Sequence, residues 1–165
     1  MIFVALGANL PSSRFGAPRA TLTAAIEMLV SRNVRVVRQS AWYESAPIPP
    51  SDQPWFVNAV IAIETLHAPT VLLRTLHDIE AALGRVRSSE ANAPRAADLD
   101  LLDYNGEITA GEAWPCLPHP RLAARAFVVQ PLAEIAPEWR HPETGETVET
   151  LRQRLSPAQT CLRVP

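Results

Sequence analysis

The 165-residue chain predicts an α+β fold, an antiparallel sheet with helices packed over one face. Three observations carry that prediction. Strand-type and helix-type segments follow one another as β-α-β-β-α-β, with further helical segments after them. The first two helical segments each open on proline and close on a stop residue, Pro18 with Asn33 and Pro69 with Gly84. No repeat, low-complexity tract or linker divides the chain, so residues 1–165 are expected to form one domain. About the last ten residues are left as a flexible tail.

The elements follow in order. Ile2 to Leu6 is a buried apolar strand closed by a turn at Gly7-Ala8-Asn9. Between Pro18 and Arg32, Leu22, Ala25, Ile26, Leu29 and Val30 recur at helical spacing. Val34 to Tyr43 has strand propensity, and a loop rich in proline runs over 44–54. Trp55 to Thr65 is the strongest strand, broken in character only by Asn58. Leu72, Leu73, Leu76, Ile79 and Leu83 line a second helix from Pro69, and a long loop over 85–96 follows. Asp98 to Tyr104 is a strand ended by a hairpin turn at Asn105-Gly106. Ala123 to Ile135 reads as helical despite Pro131, and Thr147 to Leu155 as a last short helix.

Composition removes several function classes. The net charge is −2, which disfavours non-specific nucleic-acid binding. All 15 basic residues are arginine, so no phosphate loop built on lysine is available. Cys116 and Cys161 stand far apart without metal-ligand spacing and fit two reduced thiols. The apolar start is too short for a leader or a membrane span, and a cytoplasmic protein without membrane partners is expected.

The polar residues that interrupt this pattern are the informative ones. Asp98 and Asp100 alternate along a strand and so share one face, where two carboxylates repel unless a cation lies between them. Mg²⁺ with phosphate oxygens suits such a pair. Two solvated acids on an edge strand are the alternative, and the apolar neighbours Ala97, Leu99, Leu101 and Leu102 weigh against it. Arg85, Arg87 and Arg95 in the loop just before offer planar forks for phosphate, or a solvated basic turn balanced by Glu80 and Glu90. Asn58 in an apolar strand fits either the edge of a flat heterocycle or a core amide satisfied by backbone. Phe56, on the same face, is positioned to stack on a ring. His119, between two prolines, is either a surface histidine or a phosphate contact.

Taken together, ALGANL at the start, DQPWFVNAV at 52–60, GRVR and PRAADLDLL within 84–102, and LPHPRL with RAFVVQPLAEIAP within 117–137 resemble the 6-hydroxymethyl-7,8-dihydropterin pyrophosphokinase family. The resemblance implies a ferredoxin-like sheet with extra C-terminal helices and two mobile loops, 44–54 and 85–96. It implies a monomer acting on ATP and the pterin alcohol, with transfer of pyrophosphate and release of AMP. By the same resemblance, Asp98 and Asp100 hold two Mg²⁺ ions and form the catalytic set with Arg85 and Arg95. Ser45, Ala46, Ile48, Phe56, Asn58 and Phe127 match the pterin pocket. Glu80, Arg85, Arg95, His119 and Arg125 match the ATP side. Ala91-Asn92 departs from the Arg-Trp that many members carry there, which implies a differently closing loop.

Overall fold

The structure, a computed structural model, describes residues 1–84 and 96–165. Strand β1 (Ile2–Ala8) leads to helix α1 (Pro18–Val30), then β2 (Arg35–Gln39), β3 (Trp42–Ser45) and β4 (Phe56–Glu64). Helix α2 (Pro69–Ala82) precedes β5 (Asp98–Tyr104). A single 3-10 turn (Leu122–Ala124), α3 (Ala126–Ile135), α4 (Val148–Arg154) and β6 (Cys161–Val164) complete the chain. The sheet is antiparallel in every pairing, ordered β5-β1-β4-β3-β6, with β2 also on β4.

Helices α1 and α2 bury Leu22, Ala25, Leu29, Leu72, Leu76 and Ile79 against Val4, Leu6, Ile61 and Ile63. Gly84, at φ +93°, ends the α2 segment in a conformation that glycine adopts without steric cost. The remaining helices cover the opposite face, where Val128, Val129, Leu132, Val148 and Leu151 meet Phe3, Ala5, Val60, Ala62 and Leu102. The expectation of helices on one face is therefore corrected: β1 and β4 are apolar on both sides because both sides are covered.

Three further differences have local causes. The expected strand from Val34 to Tyr43 is two strands, because Ser40 interrupts the ladder. Its hydroxyl accepts the Val60 N–H at 3.0 Å and donates to the Ala41 carbonyl at 2.7 Å. The turn at Asn105-Gly106 forms, but no strand returns from it. Pro115, Pro118 and Pro120 have no N–H to offer a ladder, and His119 alone of that run reaches β5, donating its N–H to Leu102 O at 2.8 Å. Finally, the C-terminal residues expected as a tail form β6 against β3.

Candidate active site

Strand register assembles a polar row across one face of the sheet. Gly7 of β1 is opposite Asp98 of β5 on one side and Asn58 of β4 on the other. Asn58 is in turn opposite Tyr43, and Tyr43 opposite Arg163. Opposed residues of antiparallel strands point the same way, so all of these share the face covered by α3. One step along the strands the same face is apolar, with Ala5 and Val60 in the core. The site is the end of this face, where the core stops.

Gly7 opens the gap in that row. Asp98 and Asn58 stand two strand spacings apart, about 10 Å, with no side chain between them. A Cβ on Gly7 would lie 3.3 Å from Asn58 Oδ1, tighter than ordinary packing. The first strand expected from the sequence ends before this glycine, whereas β1 runs through it to Ala8. A glycine interrupting an apolar run is a recognised sign of close backbone or ligand approach, and it was the available signal.

Asn58 is buried, with its amide nitrogen donating to Ser45 Oγ at 2.8 Å and to the Phe56 carbonyl at 3.3 Å. Those bonds orient the side chain with its oxygen toward Gly7. Phe56 is half-buried on the same face as Asn58. Ser45 is buried, Ala46 donates its N–H to Thr160 O at 3.2 Å, and Ile48 is exposed. The following loop is held at its far end by Asn9, which donates to Gln53 Oε1 and Pro54 O, each at 3.1 Å.

On the other side of Gly7, Asp98 and Asp100 are both partly exposed at the edge strand. Arg125 Nη1 lies 3.4 Å from Asp100 Oδ2, and the same guanidinium sits 5.4 Å above the Phe127 ring. Arg125 thus links the Phe127 ring to Asp100. His119 Nε2 is 3.9 Å from Asp100 Oδ2, too far for a hydrogen bond. Burial, then Arg125 and Arg121, push the His119 imidazole down to about 4, so the pair is not an ion pair at neutral pH. His119 Nδ1 accepts the Arg121 N–H at 3.1 Å, which puts the ring proton on Nε2, facing Asp100. Glu80, which the resemblance matches to the ATP side, is 1% exposed, and its Oε1 accepts the Leu99 N–H at 2.7 Å. It braces the edge of β5 between the two aspartates. Arg85, Arg87, Arg95 and Ala91-Asn92 lie outside the described residues.

The donor set suits a hydrated divalent cation. Two carboxylates on one face leave most of a Mg²⁺ coordination shell to water and phosphate, as that ion requires. Among the described residues no third acidic, histidine or cysteine group joins them in a closed metal cage.

The family profile described as 7,8-dihydro-6-hydroxymethylpterin-pyrophosphokinase (HPPK) matches residues 3–137, a span that contains this whole row up to β3. A 2-amino-4-hydroxy-6-hydroxymethyldihydropteridine pyrophosphokinase of Methylorubrum extorquens is 41% identical over 94% of this chain and 94% of its own length. The protein of that name from Pseudomonas aeruginosa is 40% identical over 91% of this chain and 89% of its own. Folic acid synthesis protein fol1 of Pneumocystis carinii is 35% identical over 93% of this chain, which spans 20% of that longer protein. A crystal structure described as HPPK-DHPS in complex with substrates shares the fold, with a TM-score of 0.66 over 92% of this chain and 42% of that one, at 12% identity. The chain belongs to the 7,8-dihydro-6-hydroxymethylpterin-pyrophosphokinase family.

Proposed function

We propose that the chain transfers the terminal pyrophosphoryl unit of ATP to 6-hydroxymethyl-7,8-dihydropterin, a step of folate biosynthesis. The products are the pterin diphosphate and AMP. The observation that carries this reading is the row Asp98–Gly7–Asn58: an anion-repelling carboxylate pair and a heterocycle-reading amide on one face, with open floor between them.

Asn58 presents its oxygen to the edge of the pterin, while Phe56 and Phe127 supply faces for its ring. The hydroxymethyl oxygen attacks the β-phosphorus and gives up its proton to solvent, the bond between the β-phosphorus and its bridging oxygen to the α-phosphate breaks, and AMP leaves with that oxygen. Asp98 and Asp100 would hold two Mg²⁺ ions, whose charge offsets that of the triphosphate as this bond opens. Arg125 contributes positive charge beside them, and neutral His119 a donor at Nε2. Arg85 and Arg95, ahead of β5 in the sequence, are assigned to the phosphates. Catalysis rests on positioning and electrostatics rather than on a strong base. The two free cysteines, Cys116 and Cys161, fit a reducing cytoplasm.

The test is direct. Incubation with ATP, Mg²⁺ and 6-hydroxymethyl-7,8-dihydropterin is expected to release one AMP per pterin diphosphate formed. Pterin binding with no AMP would reduce the chain to a non-catalytic binder and overturn the proposal.

A further inference from the structure

Gln159 touches neither the carboxylate pair nor the Asn58 edge, yet its side chain is spent on the backbone that carries Arg125 and Phe127. Its Oε1 accepts the Ala126 N–H at 2.8 Å, and its Nε2 donates to the Ala124 carbonyl at 2.8 Å. The two bonds flank Arg125, the residue just before α3, which is in extended conformation and gives the helix no side-chain cap. Ala126 is the first residue of α3, where a helix leaves its N–H groups without an internal partner, so Gln159 supplies the missing acceptor from outside. Phe127 is the next residue along.

The following residues grip β3 and the residue after it. Thr160 O accepts the Ala46 N–H, and Cys161 to Val164 pair with Ser45 to Trp42. Ser45 in turn holds the Asn58 amide. A third tie closes the frame: Glu134 of α3 accepts from the Tyr43 hydroxyl at 2.7 Å and lies 3.5 Å from Arg163 of β6. Within six residues, 159–164, the chain therefore binds the start of α3 and the β3 segment.

We propose that segment 159–164 is a strap that sets the spacing of the two walls of the pterin pocket, with Gln159 as a positioning residue for Arg125 and Phe127. The inference rests on the functional reading above. A rigid frame holds an aromatic face where the ring must enter, and freeing one end costs binding through lost preorganisation, not through lost contact.

Gln159→Ala and Gln159→Glu in the full chain test it. The second keeps the acceptor for Ala126 and loses the donor to Ala124. Loss of two hydrogen bonds at one joint is expected to raise the pterin KM of Gln159→Ala about five- to tenfold, with kcat also lowered. Gln159→Glu is expected to fall between it and the wild type. A purely structural role would lower the folded fraction, hence apparent kcat, and leave KM unchanged; that result, or kinetics within twofold of wild type, overturns the proposal. If Gln159→Ala does not fold, the KM of Gln159→Glu decides by the same criterion. Wild-type turnover measured alongside separates the two claims: no AMP from wild type overturns the functional reading and the inference with it, whereas an active wild type beside an unimpaired variant overturns the strap alone.

Discussion

The two faces of this sheet are made by the same strands and do different work. Toward α1 and α2, residues 4, 6, 61, 63 and 99 are apolar and buried, the interior a fold of this kind needs. Toward α3 and α4, the same strands are apolar only over half their length; then the alternate positions become Gly7, Asn58 and Asp98. On the functional reading proposed above, the difference separates stability from chemistry in space. Side chains that would be costly inside a core sit where the core has ended, on backbone held rigid by the helices beneath it.

The sharpest way to break the comparison is to exchange one residue on each face. Asp100→Ala on the polar face is expected to lower kcat at least about a thousandfold, since half the carboxylate pair is lost, with little change in thermal midpoint. Leu76→Ala on the apolar face is expected to cost about 2–5 kcal/mol of stability with both KM values unchanged. AMP-release kinetics and thermal melts on both variants check this. Equal losses of stability would mean that the faces are not separate.

The glycine between the two parts comes next. Gly7→Val would put a branched side chain into the gap that only 3.3 Å of clearance at Cβ already restricts. Both KM values are expected to rise, because the obstruction lies between the pterin and phosphate sides. A rise in one alone would show that the floor is not shared. Asn58→Ala acts on one side only. It is expected to weaken pterin binding by about 1–3 kcal/mol through lost edge hydrogen bonds and to leave ATP binding unchanged, as calorimetry with each ligand would read.

What the sequence made legible follows the same division. The dry face could be read: Leu72, Leu76 and Ile79 repeat at helical spacing, and Pro69 and Gly84 mark where the segment begins and ends. Asp98, Asp100 and Asn58 could be read because each violates an apolar run, and a violation carries information. The second helical layer could not, since a strand buried on both sides loses the alternation that would show which side is wet. The break at Ser40 depends on a hydroxyl replacing a backbone acceptor, which strand propensity does not register. Gln159 is illegible for a different reason. Its partners at Ala124 and Ala126 are some 35 residues away, and nothing local distinguishes it from a surface glutamine.

The smallest expected effect concerns the joint where the polar face meets the C-terminal strand. Burial alone would raise the Glu134 carboxyl, but bonds from Tyr43, the Ala41 N–H and Arg163 outweigh it and hold the group below its ordinary value. Burial and then Glu134 itself push the Tyr43 phenol well above its own. A carboxylate whose folded-state value is depressed adds stability above its unfolded value of 4.5 and loses it as the pH falls through the lowered folded value. Glu134→Gln is therefore expected to melt a few degrees below wild type at pH 7, with the gap closing as the pH drops below the carboxylate range. The joint is partly exposed, so the effect is modest and should shrink in salt. A gap that stayed constant with pH would mean that Glu134 acts through packing, and that the tie between α3 and β3 owes nothing to its charge.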